Sequence, residues 1–206
     1  MDIDYRGANC VVLKTKGGII VSDPTNNVGK VKEVVDAAAT VLVTQDSFVP
    51  KDANFVISMP GEYEHNNIST LGVPVCRYGS SQGKENTMYR VVVEGVRIAI
   101  LGHAAQPLSD DDLESLGIID IAIVPIGGGG YTLDAREAAA VVRQFDPKIV
   151  IPTHYSGDGT EYDTPQGKID DFTKELPGVA REKVDVLKIK NNQLPSVMTI
   201  YELRKK

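Results

Sequence analysis

The sequence predicts an α/β fold in which two sheets pack face to face with helices outside them, a four-layer αββα sandwich. Three observations lead there. Residues 1–95 are dominated by short β-like runs separated by Gly, Asn and Ser. Residues 96–206 contain three Val/Ile-rich runs, at 96–101, 121–125 and 149–152, and a helical pattern joins the last two. No linker-like stretch separates the halves, so residues 1–206 are expected to form a single domain, with a β-rich half at about 1–95 and a βαβ-containing half at about 96–206.

The elements follow in order. Residues 9–14 and 18–22 read as a hairpin around Lys16-Gly17-Gly18, and Asp23-Pro24 ends it with a turn signal. Residues 28–39 place Val31, Val34 and Val35 on one helical face, and residues 41–44 form a strand behind them. Residues 45–51 are the loop at that strand's carboxyl end. Residues 55–59 are a further strand, closed by Pro60-Gly61. Residues 68–71, 73–77 and 87–93 then read as an antiparallel meander.

In the second half, the runs at 96–101, 121–125 and 149–152 lack the alternation of a half-exposed strand, as parallel strands covered on both faces do. Residues 133–145 carry apolar side chains at 138, 141, 142 and 145, the period of a crossover helix. A short helix is expected at 110–116 and another at 166–176, with closing strands at 184–189 and 196–201. Ligand sites in such sheets gather beyond the carboxyl ends of the strands. His103 and His154, two of the three histidines, stand at two of those ends.

Composition narrows the function classes. With 22 basic against 28 acidic residues the net charge is −6, which argues against nucleic acid and anionic lipid as partners. No apolar run reaches the ~20 residues of a membrane span, and the first residues lack a signal-peptide pattern, so a cytoplasmic location is expected. Cys10 and Cys76 sit in separate apolar runs without metal spacing and read as buried core residues.

Four stretches carry a resemblance: PGEYE at 60–64, NTMYRVVVEGVRIAILG at 86–102, LGIIDIAIVPIGGGGYTLDAREAA at 116–139 and PKIVIPTHY at 147–155. With Gly7 and the word VSDP at 21–24, they resemble the metallo-β-lactamase superfamily. More narrowly, they look like small zinc-dependent hydrolases related to L-ascorbate-6-phosphate lactonase. The resemblance implies an αββα sandwich and one or two metal ions held largely by an HxHxDH loop. Here that loop reads Gln45-Asp46-Ser47-Phe48-Val49-Pro50. Gln45 and Ser47 stand where the spaced histidines would be, Val49 and Pro50 where the aspartate and last histidine would be. Arg77 takes the place of another family histidine, His103 that of the bridging aspartate, and only His154 is retained.

A catalytic zinc takes three protein donors and an open position for water. Val49 and Pro50 offer no donor, and Arg77 sets a permanent charge against a cation. The leading expectation is therefore a degenerate member without catalytic residues, a binding or interaction protein with no cofactor, whose Arg77, His103 and His154 line the remaining cavity. Arg77 would contact a small anionic ligand. The alternative is a metal-dependent hydrolase of a lactone or phosphoester with a reduced or non-standard site, in which His103 and His154 bind zinc or another divalent metal. Asp46 could join them, but it lies between the two family histidine positions and should point away. A third reading is a structural partner that assembles as a homo-oligomer or with an active relative.

The remaining polar residues read as structural. Asp23 is expected to hydrogen-bond backbone at the base of the loop, and Glu62, Glu64 and His65 to face solvent. The four glycines at 127–130 could present amides to a phosphate, although they form neither GxGxxG nor a P-loop. Thr132 or Asp134 can cap the following helix, Asp134 with Glu137 resembles a capping box, and that acidic cap would compete with an anion.

Overall fold

The hairpin expected at the start is present and is preceded by a strand that the periodicity did not reveal. The computed structural model describes residues 1–24, 38–50, 52–80, 83, 85–157, 159–190 and 193–206. In it β1 (Asp2–Gly7) pairs antiparallel with β2 (Cys10–Thr15), which pairs with β3 (Gly18–Ser22). Ile3 and Tyr5 of β1 turn into the core. Asp4 is buried between them, against Arg6, Lys14 and Lys206, so the strand's apolar pattern is interrupted by a carboxylate whose charge is met.

β4 (Thr40–Leu42) and β5 (Phe55–Ile57) extend this sheet in parallel from β3. The helix expected over residues 28–39 lies outside the described residues as far as residue 37. The next strand, β6 (Gly61–His65), falls where the sequence suggested a turn. It runs antiparallel to β7 (Ile68–Val75), a single strand through Gly72 where two were expected, and β8 (Asn86–Val93) completes the meander. A Cβ at Gly72 would lie 3.0 Å from the Met59 carbonyl, and its absence lets the chain run on.

β8 pairs antiparallel with β9 (Val96–Ile100), and β9 runs parallel to β10 (Ile121–Pro125), β10 to β11 (Ile149–Thr153). The strand ending near Tyr201 is β14 (Thr199–Leu203), parallel to β11 and flanked by β12 (Ala180–Val184), an edge strand too polar to stand out in the sequence. β13 (Leu187–Lys188) returns to pair with β1. One sheet is thus ordered β13-β1-β2-β3-β4-β5 and the other β12-β14-β11-β10-β9-β8-β7-β6. The sheets divide between residues 57 and 61, so the meander, grouped by sequence with the β-rich half, belongs to the sheet of the βαβ strands. Side-chain alternation marks local strands but not which sheet an antiparallel strand joins.

Both faces of the central strands are buried. Ile121 and Ile123 share a buried cluster with Tyr5, Leu13 and Leu42 of the opposite sheet, while Ala122 and Val124 belong to the cluster on the helix side. The Tyr89 hydroxyl crosses between the sheets, donating to the carbonyls of Val43 and Ile57 at 2.8 and 3.0 Å. On the outer side lie α1 (Asp110–Leu116), α2 (Ala135–Phe145) and α3 (Ile169–Glu175). α2 begins with the expected capping box: Asp134 accepts from the Glu137 amide and Glu137 from the Asp134 amide, both at 2.9 Å. Among the described residues no helix is long and apolar enough to cross a membrane. Two mixed sheets packed face to face with few helices form the expected α/β architecture.

Candidate active site

His103 and His154 meet as the parallel strands require. β9 and β11 flank β10 and end on the same edge. The two imidazoles, three residues after β9 and one after β11, stand edge to face with ring centroids 5.7 Å apart. Both residues are almost fully buried, and both line a cavity of about 370 Å³. Arg77, beyond the end of β7, lines it from another side, so all three candidate ligand-binding residues come together.

Each is held from behind. Gly102 turns the chain at φ 60°, and a Cβ there would lie 2.4 Å from Thr44, so only glycine permits this approach. The His103 amide donates to Asn86 Oδ1 at 2.9 Å, its ring packs on Phe48 with centroids 5.1 Å apart, and Asn9 Nδ2 lies 3.4 Å from either ring nitrogen. Burial, helped by the neighbouring His154 and Arg77, pushes the imidazole of His103 down to about 3, so the ring is neutral at physiological pH. His154 adopts a left-handed backbone, φ 52°, with its amide donating to the Ala8 carbonyl at 2.8 Å, and its Nδ1 lies 3.1 Å from Gln166 Oε1.

Arg77 is half-exposed, and its Nε lies 3.4 Å from Glu85 Oε2. The cation that replaces a family histidine is therefore partly neutralised already. Gln45 and Ser47 line the same cavity from the loop where the resemblance places metal ligands. Asp46 does not: it faces a neighbouring cleft of about 540 Å³ that shares Gln45, Ser47 and Arg77 with the first. Asp46 is thus separated from the two histidines, as its position between the inward-facing residues required.

Asp23 has the structural part expected of it. Its Oδ1 accepts from the Thr44 amide at 2.8 Å and its Oδ2 from the Thr44 hydroxyl at 2.7 Å, which pins the base of the Gln45 loop. Burial without a counter-charge pushes its carboxyl up to about 7, against the opposing effect of both hydrogen bonds. His65 departs from expectation. It stacks on Phe55 at 3.9 Å and bonds Thr40 Oγ1 at 2.9 Å, joining β6 to the other sheet instead of facing solvent. Cys10 is buried as expected; Cys76 is exposed, because β7 stops at Val75.

Several cavity residues were not visible in the sequence. Tyr78, Tyr131, Asp163, Thr164 and Gln166 line it, and Asn9 links its two sides, accepting from Thr153 Oγ1 at 3.1 Å beside His103. Asp163 to Pro165 lie in a polar loop with no periodicity to read, and Gln166 reads in the sequence as the start of the following helix.

A sequence profile described as "Beta-lactamase superfamily domain" matches residues 2–154. The chain belongs to the metallo-β-lactamase superfamily. A UPF0173 metal-dependent hydrolase of Pyrococcus horikoshii is 28% identical over 164 residues, 74% of this chain and 69% of that protein. A UPF0173 metal-dependent hydrolase of Thermococcus onnurineus is 34% identical over 104 residues, 47% of this chain, and the match spans only 44% of that relative's length. The crystal structure of a Thermotoga maritima protein, described as a candidate zinc-dependent hydrolase of the superfamily, superposes with a TM-score of 0.80 at 25% identity, covering 100% of this chain and 99% of that one.

These relatives correct the leading expectation of a non-catalytic binding or interaction protein without a cofactor. The chain aligns end to end with a protein described as a candidate zinc-dependent hydrolase, and its sequence relatives are named metal-dependent hydrolases. The loss of the HxHxDH word shows which donors have gone; it does not show that hydrolysis has gone with them. The donors that remain do not fit the two-metal centre that the resemblance implied. Among the described residues no three His, Cys, Asp or Glu side chains converge, whereas zinc takes three protein donors even in a mononuclear catalytic site.

Proposed function

We propose that this chain is a hydrolase that acts at the cavity between Arg77, His103 and His154, on an anionic substrate with a lactone or phosphoester bond. The observation that carries the reading is the convergence of two buried imidazoles on a cavity at the carboxyl ends of β9 and β11. Support comes from the metal-dependent hydrolase names of the relatives and from the resemblance to L-ascorbate-6-phosphate lactonase-like proteins, from which the substrate class is taken. His103 and His154 are the two side chains that would offer nitrogen to a divalent ion in a reduced, non-standard site.

The residues divide the work by charge. Arg77 supplies the positive charge of the cavity and would orient a phosphate or carboxylate, in competition with Glu85. His103, neutral because it is buried, offers a lone pair or an N–H without repelling a cation. His154 stands beside it, and where no ion occupies its lone pair it would accept the proton of the attacking water, a role open to a positioned imidazole. Tyr78 and Tyr131 supply aromatic walls to the same cavity.

Turnover of bis(4-nitrophenyl) phosphate and of a phosphorylated sugar lactone tests this, on untagged protein purified without chelators and with metal per chain measured by elemental mass spectrometry. Hydrolysis is expected, falling at least ~100-fold in His154→Asn with little change in melting temperature. Equal turnover in wild type and variant would remove the reaction from this cavity.

A further inference from the structure

Gln166 is placed where its chemistry allows one arrangement. Its side-chain nitrogen lies 3.1 Å from the carbonyl oxygen of Thr164 and 3.1 Å from Thr164 Oγ1. A backbone carbonyl only accepts, so the amide NH₂ must face it, which turns Oε1 toward His154 Nδ1 at 3.1 Å. An amide oxygen also only accepts. The proton of a neutral His154 therefore resides on Nδ1, and its lone pair on Nε2.

We propose that Gln166 is a positioning residue that holds His154 in the Nδ1–H tautomer, so that the imidazole lining the cavity keeps its lone pair on Nε2. A proton acceptor and a metal ligand both need that lone pair, and which nitrogen carries it is set by the bond the other one makes.

The four-glycine loop supports the assignment independently. A Cβ at Gly127 would lie 2.4 Å from Gln166 Oε1 and 2.1 Å from the His154 carbonyl, and one at Gly129 would lie 2.7 Å from Gln166 Nε2. The loop is bare at the two places where it passes the Gln166 amide. The Gly127 carbonyl also accepts from the Gly167 amide at 2.7 Å, and the Gly167 carbonyl from the Ser156 amide at 2.9 Å, so the backbone beside Gln166 is tied on both sides. Gly127 and Gly129 serve this clearance, and the Gly128 amide is taken up by Leu133 and Thr132 within the loop.

The tautomer is independent of the proposed hydrolysis; only its catalytic consequence rests on that reading. Long-range ¹H–¹⁵N correlation spectra of histidine-labelled protein test it directly, since the chain has only three imidazoles. His154 is assigned by the signals lost in His154→Asn. At neutral to alkaline pH, wild-type His154 is expected to show a pyrrole-type Nδ1 and a pyridine-type Nε2. Gln166→Glu, whose carboxylate can accept the same bond, retains that pattern, and Gln166→Leu mixes or inverts it.

An Nε2–H pattern in wild type, or a pattern unchanged in Gln166→Leu, overturns the proposal; should the leucine variant fail to fold, the wild-type and glutamate spectra decide. In the hydrolysis assay Gln166→Leu should lower kcat about 10–100-fold with little change in KM, and Gln166→Glu should restore most of it. If no preparation hydrolyses either ester while the spectra are as expected, the proposed function fails and the tautomer assignment stands.

Discussion

Single residues at the back of the cavity set its geometry, and two of them make sharp predictions. Gly102 combines φ 60° with a 2.4 Å approach to Thr44. Gly102→Ala should therefore cost about 3 kcal/mol from overpacking and backbone strain together, read as a fall in the urea midpoint. Asp23 predicts a pH dependence. Its folded carboxyl lies near 7, above an unfolded value of about 3.9, so between these the folded state holds the extra proton. Its contribution to stability is then greatest in acid and is lost as pH rises toward 7. Relative to Asp23→Asn, the wild-type melting temperature should fall from pH 4 to pH 7 and level off above; a constant difference would show that Asp23 is ionised throughout. The position of Asp23 beneath the loop was legible because VSDP follows a strand. Its partner Thr44 was not, because a hydrogen bond between residues 21 apart leaves no local pattern.

At the scale of elements, helix and central-strand signals in the second half were reliable and strands with a polar face were not. α1 and β10 occupy the residues expected of them, and α2 starts at the capping box read from Asp134 and Glu137. Asp134→Ala should lower stability by about 1 kcal/mol, measured as a shift in denaturant midpoint without change in slope. β1, β6 and β12 escaped notice because each is polar on one face or both. β12 exposes Arg181 and Glu182 along its edge, and such residues blunt an edge strand while hiding its period. The expected start of α3 at residue 166 was three residues early. Gln166 and Gly167 are drawn instead to His154 and to the glycine loop, contacts that outweigh helix propensity.

At the scale of the whole molecule, the two sheets share one dense core, and Ile123 lies within it. Ile123→Ala should cost about 2–5 kcal/mol and lower the stability of both sheets together, seen as one transition by near- and far-ultraviolet circular dichroism. Separate transitions would mean that the sheets unfold independently. The sequence by itself determined the fold class, the parallel centre of the second sheet and the convergence of His103 with His154, which follow from local periodicity and strand direction, and the family resemblance added the absence of the HxHxDH donors. It also suggested that lost ligands meant lost chemistry, an inference that the hydrolase relatives overturn. Only the tertiary structure decided that the meander joins the second sheet, that Asp46 faces a separate cleft and that Gln166 reaches His154 through a gap left by glycines. Those are contacts between distant segments, and side-chain clearance and hydrogen-bond direction exist only once the segments are packed.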